Sequence, residues 1–132
     1  MNKDAIIRKV LSVVPTCIAL YQFGSEAKGQ AYAGSDLELA FLSFAPLPPV
    51  QRFDLEQDLV SLLHKNVDLI DLRQASTVMK MQVISSGKCI FSKNDGERDR
   101  FETWVYSSYA RLNEERREIL NDIQKRGSVY AR

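Results

Sequence analysis

Apolar residues recur at helical and strand spacings through the first part of the chain. Over residues 4–14 their spacing predicts a helix that Pro15 ends. Residues 16–23 are apolar and β-prone, so they predict a strand. Gly24 then allows a tight turn into a short helix over residues 26–32. After this helix, residues 36–44 predict a second strand.

The middle of the chain repeats this alternation. Pro46, Pro48 and Pro49 mark a loop. The loop leads into a second long helix, for which we expect one apolar side formed by Phe53, Leu55, Leu59, Leu62 and Leu63. Residues 67–72 predict a third strand.

The last part of the chain is mainly helical. Residues 78–84 predict a helix that ends at Gly87, where a left-handed C-terminal position would favour glycine. Residues 88–92 predict a short fourth strand. From Asp95 onward we expect one long helix, kinked or broken near Asn113, with an apolar stripe formed by Phe101, Trp104, Val105, Tyr109 and Leu112. The elements together predict an α+β fold with three to four strands flanked by helices and a long C-terminal helix.

Length and charge narrow the classes of protein that fit. At 132 residues the chain is expected to form one domain over residues 1–132. A net charge of +1 argues against a broad nucleic-acid surface. We expect no signal peptide and no membrane span, since no apolar stretch is long enough to cross a bilayer. Cys17 and Cys89 lie in apolar, strand-like segments and predict buried, reduced thiols in a cytoplasmic protein.

Gly24 and Ser25 lie between a predicted strand and a predicted helix start. Free backbone N–H groups and the helix dipole favour a phosphate at such a position. Lys28, in the same predicted helix, is a candidate for a further phosphate contact. Taken alone, a Gly-Ser pair is as well explained by a turn followed by a helix cap.

Two carboxylates follow on one face of the second strand. Alternate strand residues point the same way, so Asp36 and Glu38 project together while Leu37 turns into the core. Such a pair either holds a divalent metal ion or repels itself. The third strand adds another carboxylate, Asp68 or Asp71, inside a strand pattern, where an unpaired charge would be costly. Three carboxylates beside a Gly-Ser turn indicate metal-assisted nucleotidyl transfer.

This pattern resembles the minimal nucleotidyltransferases of the DNA polymerase beta superfamily. Their motif is Gly-Ser, a spacer of about ten residues, Asp-x-Asp or Asp-x-Glu, and a third acidic residue in a later strand. The chain is most similar to the antitoxin members of the bacterial HEPN/MNT toxin–antitoxin pairs. The resemblance implies the nucleotidyltransferase fold with a small mixed sheet, and AMP transfer from ATP to a tyrosine of a partner HEPN-domain ribonuclease in a hetero-oligomeric complex.

The resemblance also assigns roles to residues. Asp36 and Glu38 would bridge two Mg²⁺ ions, and Asp68 would take the proton of the nucleophile or coordinate the catalytic metal. Asp71, three residues further, faces the opposite side of an ideal strand and is expected to cap a neighbouring group. His64 is the only histidine, so no His-based triad or zinc cluster is available.

Glu38 stands where many family members have aspartate. The extra methylene moves the carboxylate outward by more than about 1 Å, which would disturb near-ideal octahedral Mg²⁺ geometry. Two functions therefore remain open: an active protein adenylyltransferase, or an antitoxin with a weakened site that inhibits its toxin by binding alone. A third, antibiotic nucleotidyl transfer, is disfavoured because one domain leaves little sequence for an aminoglycoside pocket.

Overall fold

The computed structural model describes residues 2–24 and 36–130, with side chains described as far as residue 126. Within these ranges the order of elements is α1 (Lys3–Val13), β1 (Cys17–Phe23), β2 (Leu37–Ser43), α2 (Pro49–Leu63), β3 (Val67–Asp71), α3 (Thr77–Ser86), β4 (Lys88–Ser92) and α4 (Asp95–Tyr130). These elements confirm the predicted α+β alternation. The short helix predicted over residues 26–32 lies outside the described residues.

The four strands form one mixed sheet in the order β3-β2-β1-β4. Strand β1 runs antiparallel to both β2 and β4, whereas β2 and β3 are parallel. Parallel neighbours need a crossover connection, and α2 supplies it between β2 and β3. Because the two strands are parallel, the start of β2, beside Asp36, and the start of β3, with Asp68, lie at the same end of the sheet.

Each face of the sheet has its own apolar core. On one face Leu37, Leu39 and Phe41 of β2 pack with residues of α1 and α2, including Ile6, Val10, Leu55 and Leu59. On the other face Ala40 and Leu42 pack with residues of β1, α3 and α4, including Tyr21, Phe23, Val83, Phe101 and Val105. Since side chains alternate along a strand, Glu38 belongs to the second face, the one that α3 and α4 cover.

The apolar side predicted for α2 is wrong at two positions. Leu55 and Leu59 are fully buried and Leu63 packs against the same core, but Phe53 is 52% exposed and Leu62 is 46% exposed. Successive helical residues are separated by about 100°. Phe53 is therefore turned by about 200° from Leu55, and Leu62 lies about 100° away from Leu63.

Gly87 follows α3 as predicted, but its conformation is extended, with φ −82° and ψ 170°. The left-handed conformation expected there is therefore wrong. Close approach explains the glycine instead, because a Cβ atom would collide with the carbonyl oxygen of Val83 and lie 3.1 Å from that of Gln22. Gly87 thus lets the end of α3 pack directly against the end of β1.

Helix α4 is continuous across Asn113, so the predicted break is wrong. Its first turns are anchored by Phe101 and Val105, which are buried, whereas Trp104 of the predicted stripe is 52% exposed. From residue 114 to residue 126 every side chain is exposed. Helical propensity, without core packing, therefore continues the helix beyond the sheet.

The two thiols differ from each other in exposure. Cys17 and Cys89 are both free; Cys17 is buried, as predicted, but Cys89 is exposed. The prediction of burial fails at Cys89 because β4 is an edge strand, and its residues are at most partly covered.

Candidate active site

The register of the parallel pair places two of the predicted carboxylates side by side. Glu38 of β2 lies directly opposite Asp68 of β3, and Phe23 of β1 is its neighbour on the other side. Asp36 lies immediately before β2, two residues from Glu38. Asp36 and Asp68 are exposed and Glu38 is partly buried. The structure therefore brings Asp36 and Glu38 close to Asp68, although they belong to different parts of the chain.

Gly24 follows β1 directly and lies against the carboxylate of Glu38. Its φ of +80° is in the left-handed region, and a Cβ atom at this position would overlap Oε2 of Glu38. Glycine therefore meets two requirements at once, the backbone turn and the close approach of an acidic side chain. Gly24 of the predicted phosphate turn is therefore in direct contact with Glu38, one of the predicted metal ligands.

The electrostatics of Glu38 reflect this crowding. Burial raises the pKa of its carboxyl group above the usual value, and the nearby charges of Asp68 and Asp36 raise it further. Glu38 is therefore close enough to feel the charges of both Asp68, on the neighbouring strand, and Asp36, two residues before it. A like-charged cluster of this kind is relieved when a cation binds.

The raised pKa of Glu38 makes a prediction about stability. Because the folded protein disfavours the ionised form, ionised Glu38 destabilises the fold at neutral pH, and this effect disappears below the unfolded pKa of about 4.3. In a chelating buffer we expect Glu38→Gln to melt at a higher temperature than the wild type at pH 7–8, with the difference closing as the pH falls towards 4. Scanning calorimetry across this range measures it, with exposed Glu118→Gln as the control. A difference that does not vary with pH would contradict the prediction.

The donor set fits Mg²⁺ in chemistry. Carboxylate oxygens are the ligands that this hard cation prefers, and the negative charges of Asp68 and Asp36 add to burial in raising the pKa of Glu38. In the described ranges, no group of three or more His, Cys, Asp and Glu side chains is already arranged so that it could hold a metal ion. Convergence of Asp36, Glu38 and Asp68 on one ion therefore requires movement of side chains. Mutual repulsion gives a reason why the carboxylates are held apart.

Asp71 and the remaining predicted residues are placed differently. Asp71 is buried and accepts the backbone N–H groups of Leu47, at 2.8 Å, and Arg73, at 3.0 Å. Its carboxylate thus ties the loop before α2 to the end of β3. Ser25 and Lys28 lie outside the described residues. His64 ends α2 in a left-handed conformation, with φ 52° and ψ 44°.

Two residues that no sequence motif indicated fix the backbone beside Asp68. Arg52 and Glu56 of α2 hydrogen-bond to the main chain of Leu69. The sequence signal for this pair was present, since opposite charges four residues apart on a helix attract each other. Next to them a cleft of about 320 Å³ opens, lined by Arg52, Asp68, Leu69, Ile70, Asp71, Gln74 and Ala75.

Comparison with known proteins agrees with this geometry. Residues 6–96 match the family described as "Polymerase beta, Nucleotidyltransferase". A curated relative, the protein adenylyltransferase MntA of Shewanella oneidensis, is 34% identical over 131 residues, which cover 99% of this chain and 94% of the relative. The chain therefore belongs to the polymerase beta nucleotidyltransferase family.

Solved structures extend the comparison to complexes. A crystal structure of a toxin–antitoxin with AMP-PNP matches with a TM-score of 0.85 at 34% identity, covering 94% of this chain and 99% of the other. The tri-AMPylated Shewanella oneidensis HEPN toxin in complex with MNT antitoxin matches with a TM-score of 0.78 at 32% identity, covering 93% and 96%. These matches confirm the predicted fold and the predicted resemblance to minimal nucleotidyltransferase antitoxins. No helix in the described part of the chain is long and apolar enough to cross a membrane.

Proposed function

We propose that this chain is an antitoxin that transfers AMP from ATP to a tyrosine of a partner HEPN-domain toxin ribonuclease and so neutralises it. The observation that carries the proposal is the contact of Gly24 with Glu38, beside Asp68, in a chain 34% identical to an adenylyltransferase. The relative in complex with a tri-AMPylated HEPN toxin supports the choice of acceptor. Antitoxin and toxin would act within a hetero-oligomeric complex.

The transfer makes one bond and breaks another. The tyrosine oxygen bonds to the α-phosphorus of ATP, the bond from that phosphorus to the oxygen bridging the α- and β-phosphates breaks, and pyrophosphate leaves. A phenol is a weak nucleophile at neutral pH. Asp68, exposed at the sheet edge, is suited to take its proton. Backbone N–H groups at Gly24 and Ser25, with Lys28, are the proposed contacts for the triphosphate.

Asp36, Glu38 and Asp68 would hold Mg²⁺. When bound, the ion neutralises charge on the phosphates and lowers the pKa of the attacking hydroxyl. Strand register places the carboxylate-bearing residues Glu38 and Asp68 side by side, and Gly24, which lacks a side chain, leaves space for the Glu38 carboxylate. Residues 1–132 would form one domain acting in the cytoplasm. The presence of two free cysteines supports this compartment.

The function is tested by incubating the purified chain with the toxin encoded beside it, ATP and Mg²⁺. We expect the intact mass of the toxin to rise by one or more adenylyl groups and its ribonuclease activity to fall. Omitting Mg²⁺ or ATP should prevent both changes. If the toxin is inhibited without a change in mass, the chain acts by complex formation alone.

Binding without transfer is the second candidate, and the reach of Glu38 is the observation that favours it. The carboxylate of Glu38 extends into the space that a Cβ atom at position 24 would occupy. If the longer side chain of Glu38 weakens the site, Glu38→Asp should raise the rate of AMP transfer about tenfold. This gain corresponds to about 1.4 kcal/mol of transition-state stabilisation.

The rate is measured by intact mass of the toxin at saturating ATP and Mg²⁺ for both forms. A lower rate for the aspartate form would show that the site is adapted to glutamate and would leave the enzyme assignment standing. Absence of transfer by both forms would favour the antitoxin that acts by binding alone.

A further inference from the structure

Among the strands of residues 2–24 and 36–130, β3 lies at the edge of the sheet, with β2 on its inner side and no strand on its outer side. At Leu69 two side chains of α2 take the place of that neighbour. Oε2 of Glu56 accepts the N–H of Leu69 at 2.8 Å, and Nη1 of Arg52 donates to the carbonyl oxygen of Leu69 at 3.0 Å. A paired strand would satisfy the same two backbone groups of one residue.

Arg52 and Glu56 also bind each other. Nη1 of Arg52 lies 3.3 Å from Oε2 of Glu56, and the two side chains are 32% and 16% exposed. The pair is therefore held between the helix and the strand edge, with each charged group engaged by its partner and by the main chain. We call Arg52 and Glu56 the edge clamp.

The edge clamp acts on the residue next to the candidate catalytic carboxylate. The N–H of Leu69 belongs to the peptide unit whose carbonyl carbon is that of Asp68, and this unit is planar. Fixing that N–H from outside, while β2 pairs with β3 from inside, leaves the backbone at Asp68 little freedom to tilt. The Asp68 side chain then leaves the strand in a fixed direction, opposite Glu38.

We propose that the edge clamp is a positioning device for Asp68: Arg52 and Glu56 set the angle at which the Asp68 carboxylate meets Glu38 and the reacting groups. This inference rests on the proposed nucleotidyl transfer at the site. A positioning residue of this kind touches neither ATP nor the acceptor. Its loss leaves Asp68 in the chain but displaced, and a displacement of about 1 Å costs on the order of 10²-fold in rate.

The core already secures β3 without the edge clamp. Leu69 is 1% exposed and packs in the same core as Leu55 and Leu59. Removing one carboxylate at the strand edge leaves these apolar contacts in place. A positioning role and a merely structural role therefore predict different outcomes for a folded variant.

The test compares Glu56→Ala with Glu56→Gln, whose amide oxygen still accepts the Leu69 N–H. Asp58→Asn is the matched control, because Asp58 lies on the same helix and pairs with Lys9 at 3.1 Å, away from β3. Two quantities are measured for each: the rate of AMP transfer to the toxin at saturating ATP and Mg²⁺, and the Mg²⁺ dissociation constant by calorimetry in the presence of a non-hydrolysable ATP analogue. Thermal melting shows that each variant is folded at the assay temperature.

We expect Glu56→Ala to lower the transfer rate and weaken Mg²⁺ binding by about 10- to 100-fold each, the range for partners that orient metal ligands. Glu56→Gln should recover most of both, and Asp58→Asn should change neither. A folded Glu56→Ala protein with wild-type rate and Mg²⁺ affinity would overturn the proposal. If Glu56→Ala does not fold, Arg52→Lys, which keeps the charge but not the planar guanidinium, is compared with Asp58→Asn, and equal values would overturn it. Failure of the proposed function gives a different result, since the wild type would then show no transfer at all. The Mg²⁺ affinity of Glu56→Ala, compared with that of the wild type, would still test the edge clamp.

Discussion

Replacing Asp36 with alanine is expected to lower AMP transfer to the toxin by about 10³-fold or more. Asp36 is the first carboxylate of the site and lies exposed at the start of β2, where it raises the pKa of Glu38. A bound metal ion contributes several kcal/mol of charge stabilisation, and each 1.4 kcal/mol is a factor of ten in rate. Loss of a ligand therefore costs more than loss of a surface charge.

The fold should tolerate this change, because Asp36 is exposed and its removal relieves repulsion with Glu38. Melting in a chelating buffer is expected to stay equal or to rise slightly. The transfer rate is followed by intact mass of the toxin, with exposed Asp54→Ala of α2 as the control. Near wild-type labelling by the Asp36→Ala protein would show that Asp36 is not a metal ligand.

Gly24→Ala is expected to lower the transfer rate by about 10²-fold. The backbone at Gly24 has φ +80°, a conformation that costs an L-residue about 1–2 kcal/mol, and the new methyl group would overlap Oε2 of Glu38. The end of a flexible side chain moves more readily than backbone, so Glu38 should yield and leave its place beside Asp68. A displacement of this size accounts for the expected loss of rate.

Stability separates the two consequences of Gly24→Ala. The free energy of unfolding, from urea titration, should fall by about 1–2 kcal/mol, the cost of the backbone strain. The double variant Gly24→Ala with Glu38→Asp has a shorter carboxylate and should recover part of the transfer rate but none of the strain. Unchanged transfer by a folded Gly24→Ala protein would show that the contact between Gly24 and Glu38 has no part in catalysis.

Much of this architecture follows from local patterns. The apolar run that opens at Asp36 predicted β2, and residues 67–72 predicted β3, because strand-like runs of this length fit a sheet with buried faces. Prolines and the glycine after β1 marked the connections, since they restrict or widen the backbone conformations available. The spacing from Gly24 to Asp36 and Glu38 was sufficient to select these residues as a candidate site, and their direct participation in catalysis stays a prediction.

Local sequence patterns did not predict features that depend on residues distant in the chain, such as which apolar side chains are buried. Phe53 and Trp104 are as apolar as the buried residues around them, yet both are 52% exposed. Trp104 still contacts Lys80 of α3, whose Nζ lies 4.8 Å from the centre of the indole ring. Gly87 was correctly predicted to follow a helix, but for the wrong reason, since only the packed structure reveals the carbonyl oxygen of Gln22 beside it.

By itself the sequence determined which carboxylates exist and which face of its own strand each one takes, because alternation is a property of a single strand. The tertiary structure alone decided that Glu38 lies opposite Asp68, that Gly24 touches the Glu38 carboxylate, and that α2 holds the edge of β3 through Arg52 and Glu56. Register between strands distant in sequence is fixed by the crossover helix and by burial of both apolar faces. No short stretch of the chain contains that information.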